Sequence, residues 1–320
     1  MPRPSVVLLC PGQGAQTIGM GKTWMETHPA AAQTFAAADA AVELPGGQPL
    51  TDFCFNGPAD QLNRTDVAQP ALFATAVACF QSLLEDWGGA NIQHTAGLSL
   101  GEYTALHLAG AFSFRDGLRL VATRGRLMQE AAEKSDGGMV ALTGADEETA
   151  EKLCEAARGD DVLVCANFNA PGQIVISGGK KARDRAVEMA ADLKVRATPL
   201  SVAGAFHSPL MAPAAEEMAV ALESVDLQPL STTVWSNVTG APHDPNNPEL
   251  LRQRLVEQIT SPVRWSQGCQ NLASVLAESD DTPTIHELAP GKVLKGLFRR
   301  IDRTVEVTAH DQPETTPQSS

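Results

Sequence analysis

The sequence predicts an α/β protein in which a smaller unit is inserted into a larger one. Short apolar runs of β-strand length alternate along the chain with long helical runs, which is typical of α/β architecture. Between residues 138 and 202 these runs follow the order strand, helix, strand, strand, helix, strand, which is that of a ferredoxin-like unit. An inserted unit of this kind leaves a cleft against the larger one, and clefts between units are common positions for active sites.

The larger unit is predicted to begin with a buried strand at Val6–Cys10, followed by a glycine-rich turn. Residues 70–86 are predicted to form an apolar helix with a proline in its first turn. A short strand at 95–98 then leads into a helix over 100–109, which Gly110 ends.

The smaller unit has its own alternation of predicted strands and helices. Asn169 to Gly172 provide a strong turn signal between its second and third strands. Its elements are predicted, in chain order, at residues 138–144, 146–157, 162–168, 173–178, 180–193 and 196–202. The domain boundaries that follow are 1–132 and 204–308 for the large unit, 133–203 for the small unit, and 309–320 for a polar, disordered tail.

Composition and charge exclude several classes of protein. Hydrophobic residues make up 43% and charged residues 19% of the 320 residues, and the net charge is −14. This negative charge argues against a nucleic-acid surface and against binding to anionic membranes. The six cysteines are scattered without metal-ligand spacing, and no uninterrupted apolar stretch approaches the length of a membrane span. We therefore expect a cytoplasmic protein with reduced cysteines in its core.

The most informative local motif is Gly97-Leu98-Ser99-Leu100-Gly101, a G-x-S-x-G pattern between a predicted strand and a predicted helix. In a nucleophile elbow this sharp turn lifts the serine hydroxyl away from the sheet edge. Small residues also build ordinary strand-to-helix turns, so the motif alone leaves both interpretations open. A phosphate loop near the N-terminus is excluded, because Gln16 stands where its first glycine is required.

A base for this serine has to come from one of seven histidines. His207 is the candidate, because it follows the last strand of the small unit, where the chain returns to the predicted cleft. An isolated histidine is more often a core residue than a base. The remaining histidines have polar or helical surroundings and are predicted to be structural or solvated: His28, His94, His107, His243, His286 and His310.

Motifs along almost the whole chain resemble one enzyme family. The segments "PGQGAQTIGMG", "DVAQPALFATAVA", "GLSLGEYTAL", "RLVATRGRLMQ", "NFNAPGQIVISG", "GAFHSPLM", "SPVRW" and "ELAPGKVLKGL" occur in family order between Val6 and Val307. Together they resemble the malonyl-CoA:acyl carrier protein transacylases, the acyl-loading enzymes of bacterial fatty acid synthesis, which are similar to polyketide synthase acyltransferase domains. The resemblance implies an α/β-hydrolase-like large domain with a ferredoxin-like insertion.

By motif, the resemblance implies roles for five residues in catalysis. Ser99 is the implied nucleophile, and His207 is its implied general base. The main-chain carbonyl of Gln258 would orient the imidazole, a task that an acid performs in other enzymes. The backbone amides of Gln13 and Leu100 would form the oxyanion hole. No cofactor and no metal are implied, and the implied partners are malonyl-CoA and an acyl carrier protein bound by a monomer.

The resemblance also implies the substrate-binding residues. Arg124 matches the family's carboxylate-binding arginine, although its sequence context also fits a surface arginine on an amphipathic helix. Gln69 matches a pocket glutamine. Phe206 matches a position where a bulky phenylalanine accompanies malonyl rather than methylmalonyl substrates. Leu98 departs from the family, which usually has histidine there, and we expect a drier pocket floor with activity retained.

Two other functions remain open at this point. An acyl-CoA thioesterase or esterase could use the same serine with water as the acceptor. A catalytically idle relative that only binds carrier protein is the second possibility, with Leu98 as a sign of decay.

Overall fold

The computed structural model describes residues 3–314 of the chain. The strands are β1 Ser5–Cys10, β2 Asn91–Gly97, β3 Gly137–Thr143, β4 Leu163–Ala170, β5 Gln173–Gly179, β6 Arg196–Pro199, β7 Thr233–Trp235, β8 Thr284–Glu287 and β9 Val307–Ala309. The α-helices are α1 Lys22–Thr27, α2 Pro29–Ala41, α3 Leu50–Asn56, α4 Ala59–Leu62, α5 Thr65–Trp87, α6 Leu100–Leu108, α7 Phe114–Glu133, α8 Glu147–Arg158, α9 Lys180–Ala190, α10 Ala212–Glu223, α11 Pro248–Gln258, α12 Trp265–Ala277 and α13 Val293–Ile301. Short 3₁₀ turns occupy Pro45–Gly47 and Pro209–Met211.

The main sheet has five parallel strands in the order β7-β2-β1-β8-β9. Its central strand β1 is buried on both faces, because Val6 and Leu8 join one apolar cluster while Val7 and Leu9 join another. A continuous apolar run is the pattern expected of a parallel strand covered by helices on both sides. The prediction of a first buried strand is confirmed.

The second sheet is antiparallel, with the order β4-β5-β3-β6, and it encloses a separate apolar cluster with α8 and α9. Its elements follow the chain order strand, helix, strand, strand, helix, strand, as predicted. Strand β4 also contacts the larger unit, because the backbones of Ala166 and Phe168 both hydrogen-bond to Val263. The chain is thus a mixed α/β protein with one parallel and one antiparallel sheet.

Helix α5 differs from its prediction. It begins at Thr65 rather than at residue 70, so Pro70 lies inside it and not in its first turn. Proline removes one helical hydrogen bond, but packing of α5 against α2 and α7 holds the helix together. By length and composition alone this helix could cross a membrane, but it is interrupted by polar and charged residues and 89% of its most apolar window is buried inside the protein. It is a core helix of this fold.

The C-terminal segment is ordered further than predicted. Ala309 ends strand β9, and His310 is buried and donates its backbone N–H to the carbonyl of Glu287. Asp311 accepts a hydrogen bond from the backbone of Gly291. The predicted start of a disordered tail at residue 309 is therefore wrong, because pairing with β8 orders this stretch. The remainder of the predicted tail, 315–320, lies outside the described residues.

Candidate active site

The G-x-S-x-G turn joins the end of β2 to the start of α6, as predicted. Ser99 adopts φ 54° and ψ −103°, a conformation that is uncommon for a residue with a side chain. Both glycines are required by close packing. A Cβ on Gly97 would lie 1.9 Å from the carbonyl carbon of Gly101, and one on Gly101 would lie 2.1 Å from the backbone oxygen of Cys10. Helix α6 therefore packs closely against the end of β1, and the Ser99 side chain lines the cavity described below.

The imidazole of His207 lies directly beside this hydroxyl. Its Nε2 is 2.8 Å from Ser99 Oγ, and its Nδ1 is 2.8 Å from the backbone oxygen of Gln258. A carbonyl oxygen can only accept, so Nδ1 carries the proton and Nε2 is left to accept from the serine. Burial, and secondarily the positive charge of Arg124, lower the pKa of His207 to about 4. At neutral pH the imidazole is thus uncharged and has the tautomer that a base requires.

The guanidinium of Arg124, on helix α7, completes the group and is 1% exposed. Its Nη1 donates to Gln69 Oε1 at 2.8 Å. Its Nη2 donates to Gln258 Oε1 at 2.9 Å and to Ser99 Oγ at 3.1 Å. The alternative of a solvated surface arginine does not fit this burial.

No carboxylate neutralises Arg124 by direct contact. Within residues 3–314, no Asp or Glu oxygen lies within 4.0 Å of its nitrogens, and its buried Nε has no hydrogen-bond acceptor. The cation lies over the ring of Tyr103, 5.4 Å from the centroid. Glu102 acts on this cation only from a distance, through Gln258. A buried charge with no carboxylate in contact is costly, so the arrangement favours an anionic ligand in this position.

A cavity of about 530 Å³ opens onto these groups. Both units line it, with Met139 and Val175 from the antiparallel sheet facing Ser99 and His207 of the larger unit. The predicted cleft between the units therefore exists, and it contains the hydroxyl, the imidazole and the guanidinium together.

Gln13 and Leu100 line the same cavity. Leu100 is the first residue of α6, where a backbone N–H has no partner within the helix. In the described part of the chain, neither the Leu100 nor the Gln13 amide donates a hydrogen bond to another protein group. Gly12 allows the two segments to approach, since a Cβ there would lie 2.2 Å from the oxygen of Leu98. Two residues with free amides thus line the cavity that contains Ser99.

The remaining predicted residues also lie at the site. Gln69 is buried against Arg124, and Phe206 lines the cavity next to the base. Leu98 is half-buried and lines the cavity. Leu98 and Leu297 both pack against the same apolar cluster, and a histidine at position 98 would place a polar ring there. Among residues 3–314 no group of three or more metal-ligating side chains is found.

Three residues behind the turn were missed as functional candidates. Asn237 accepts a hydrogen bond from the Ser99 N–H at 2.6 Å, and buried Glu102 contacts both Asn237 and His243. Glu102 directly follows the serine motif, inside the segment "GLSLGEYTAL" that resembles the family, and this position is a signal that could have identified it. Asn237 and His243 lie in loop segments around β7 and have no sequence signal of this kind.

The fold and the site are those of an acyltransferase, and comparison with known proteins supports this class. Residues 7–293 match the family described as acyl transferase domain. The malonyl CoA-acyl carrier protein transacylase of Bacillus subtilis is 39% identical over 97% of this chain and 94% of its own length. The chain belongs to the malonyl CoA-acyl carrier protein transacylase family.

Solved structures agree with this assignment. The malonyl-CoA:acyl carrier protein transacylase of Xanthomonas oryzae is 40% identical, with a TM-score of 0.88 over 98% of this chain and 96% of that one. A malonyl-transacylase solved in complex with its type II PKS acyl-carrier protein is 35% identical, with a TM-score of 0.89 over 97% of this chain and 96% of that one.

Proposed function

We propose that this protein transfers a malonyl group from malonyl-CoA to the phosphopantetheine thiol of an acyl carrier protein, through a malonyl ester on Ser99. The observation that carries the proposal is the buried Arg124 guanidinium, which contacts the serine hydroxyl and has no carboxylate partner among residues 3–314. Its family relatives bear the name of this activity.

In the first half-reaction, Ser99 Oγ attacks the thioester carbonyl carbon while His207 Nε2 takes the hydroxyl proton. The Gln258 carbonyl keeps the other ring nitrogen protonated and stabilises the imidazolium that forms. The tetrahedral intermediate then collapses, the C–S bond breaks, and the thiolate of CoA leaves with the proton held by His207. A malonyl-serine ester remains.

The negative charge that develops on the carbonyl oxygen is met by the backbone amides of Gln13 and Leu100. They are free to donate, and the N-terminal end of α6 adds its partial positive charge. Amides held by the backbone need little reorganisation when the charge appears.

The second half-reaction repeats these steps with the carrier protein's thiol as nucleophile. His207 accepts the thiol proton, the thiolate attacks the ester, and the proton returns to Ser99 Oγ as the enzyme is released. Ping-pong kinetics follow, because CoA leaves before the carrier protein reacts.

Arg124 accounts for the choice of malonyl. A planar guanidinium binds both oxygens of a carboxylate at once, which the ammonium of lysine cannot reproduce. Gln69 and Gln258 accept two of its N–H groups and hold its plane. Phe206 fills part of the cavity beside His207 and leaves less room for a branched acyl chain, which favours malonyl over methylmalonyl.

The fate of the acyl group distinguishes this function from a thioesterase. Incubation with malonyl-CoA and holo carrier protein is expected to yield mainly malonylated carrier protein, quantified by mass spectrometry beside free malonate. Free malonate as the main product, with the carrier protein unmodified, would instead support hydrolysis.

The pH dependence follows from the low pKa of His207. The acid limb of kcat/KM for malonyl transfer is expected near pH 4 rather than at the ordinary histidine value of 6.5, because only the neutral ring accepts the serine proton. The unfolded chain would take up this proton at about pH 6.5, so His207 makes the fold less stable as pH falls from 6.5 toward 4. Measurement of kcat/KM from pH 4 to 8 tests the position of the acid limb, and recovery of activity after return to pH 7 is the control for unfolding. A limb at pH 6.5 in folded enzyme would contradict it.

Carrier-protein docking is proposed on helix α13. Val293 and Leu297 of this helix line the cavity, and its outer side is basic. The exposed cations of this surface are Lys292, Lys295, Arg299, Arg300 and Arg303. Such a local patch offers an acidic partner a favourable field on a chain whose net charge is −14.

Charge reversal tests the docking surface. The double variant Lys295→Glu/Arg299→Glu is expected to lower kcat/KM for the carrier protein by about tenfold at low salt, because electrostatic attraction speeds encounter. Hydrolysis of malonyl-CoA without carrier protein is expected to change little. The sequence offers a second basic segment on α9, with Lys180, Lys181, Arg183 and Arg185, as the alternative docking surface. Lys180→Glu/Lys181→Glu makes the same change in charge there, and a larger loss from this pair than from the α13 pair would place docking on α9. Equal losses in both assays would contradict this surface.

We also infer that the parallel sheet belongs to an α/β-hydrolase-like domain over 1–132 and 204–308, and that 133–203 form a ferredoxin-like domain. The strand order β4-β5-β3-β6 supports the second inference. A monomeric, cytoplasmic enzyme that needs no cofactor and binds neither nucleic acid nor membrane remains the expectation from sequence.

A further inference from the structure

A buried carboxylate lies directly behind the serine turn. Glu102 is three residues beyond Ser99 on α6, is 1% exposed, and is not among the residues that line the cavity. Neither half-reaction uses it. A buried carboxylate is costly unless it is hydrogen-bonded, so its partners indicate what it does.

Three donors from distant parts of the chain meet this carboxylate. Oε1 accepts from the backbone N–H of Asn237 at 3.2 Å and from Nε2 of His243 at 2.7 Å. Oε2 accepts from Nε2 of Gln258. Glu102 therefore links α6, the loop after β7 and the end of α11.

Two of these partners hold the backbone of Ser99. Asn237 Oδ1 accepts the Ser99 N–H at 2.6 Å, while Asn237 Nδ2 donates to the oxygen of Gly97 at 2.7 Å. Gln258 Nε2 donates to the oxygen of Ser99 at 3.0 Å. Both polar backbone groups of the serine are thus held by side chains. A residue at φ 54° persists only when its surroundings hold it in this way.

Gln258 extends the same network to the base and to the cation. Its side-chain oxygen accepts from Arg124 Nη2, while its side-chain nitrogen faces Glu102. Its backbone oxygen holds His207. The Gln258 amide therefore has one possible orientation, with its oxygen toward the guanidinium and its nitrogen toward the carboxylate.

We propose that Glu102 is a positioning residue for acyl transfer. Through Asn237 it holds the backbone of the Ser99 turn, and through Gln258 it holds the side chains of Arg124 and His207 in place. This inference rests on the proposed function of the same site. An ionised carboxylate only accepts, and all three of its partners donate. A glutamine in its place would direct an N–H₂ group at a donor, and rotation of the Gln258 amide to relieve this would take the acceptor away from Arg124.

The variant Glu102→Gln tests the proposal with two readouts. We expect kcat/KM for malonyl transfer to fall about 100-fold, because displacement of reacting groups by about 1 Å has effects of this size. The rate at which phenylmethylsulfonyl fluoride modifies Ser99 should fall as well, since this neutral reagent needs the serine and the base but no carboxylate site. Leu153→Ala, in the separate apolar cluster of the antiparallel sheet, is the control; it should lower the unfolding midpoint without changing either rate.

A second pair of variants keeps the test decisive if Glu102→Gln does not fold. His243→Gln retains an N–H donor for Glu102, and His243→Leu removes it, so the leucine variant should lose clearly more of both rates. Folded Glu102→Gln enzyme with both rates close to wild type, or His243 variants that are equally active, would overturn the proposal. If the reagent modifies Ser99 of the wild-type enzyme but this enzyme does not transfer malonyl, the proposed function fails. Slower modification of Ser99 in Glu102→Gln would still support the positioning role in that case.

Discussion

Replacement of Ser99 by alanine is expected to lower malonyl transfer by about 10⁴-fold to 10⁶-fold, because loss of the nucleophile removes the covalent route and leaves only binding and the oxyanion site. The structure places the hydroxyl 2.8 Å from Nε2 of His207 and 3.1 Å from Nη2 of Arg124. Steady-state transfer to holo carrier protein measures this loss.

The fold should tolerate this change, since alanine removes a single oxygen from the cavity wall. Circular dichroism and thermal unfolding of Ser99→Ala serve as the control, and binding of malonyl-CoA should persist because Arg124 remains. A folded variant that keeps more than about one-tenth of the wild-type rate would exclude Ser99 as the nucleophile.

Replacement of Arg124 by methionine is expected to reverse the preference for malonyl over acetyl groups. Methionine leaves an apolar site, in which a malonyl carboxylate would be unpaired at a cost of about 2–5 kcal/mol, or about 30-fold to 5,000-fold in kcat/KM. Acetyl transfer should be affected much less. Competition between malonyl-CoA and acetyl-CoA measures the ratio directly.

The same variant should move the acid limb of the pH profile upward, because the charge of Arg124 contributes to the low pKa of His207. Arg126→Met is the matched control, since Arg126 lies on the same helix but is exposed and pairs with Glu130. Discrimination that stays within about threefold of wild type in Arg124→Met would show that the carboxylate is bound elsewhere.

The strands and the serine turn were predictable because local signals specify them. The run Val6–Cys10 is apolar at every position, which fits a strand buried on both faces. Gly97 and Gly101 flank the serine, and the close approach of α6 to β1 excludes any side chain at either position. Sequence and structure agree here because the constraint acts on neighbouring residues.

The convergence of remote groups could not be derived from local pattern. Arg124 and Gln258 are separated by 134 residues, and they meet only through the packing of their helices at the cavity. Motif resemblance supplied these residues, whereas Asn237 and His243 had no motif and emerged from their contacts alone. The start of helix α5 was predicted wrongly for a related reason. Proline usually marks the first turn of a helix, but tertiary packing stabilises α5 from Thr65 onward, so Pro70 lies inside it.

The covalent intermediate offers the most direct test of the central claim. Wild-type enzyme mixed with malonyl-CoA and quenched in acid should show a mass gain of one malonyl group, which peptide mapping should assign to Ser99. Holo carrier protein added before the quench should remove the adduct and gain the same mass. Active enzyme that never carries the adduct on Ser99, or carries it on another residue, would contradict the account.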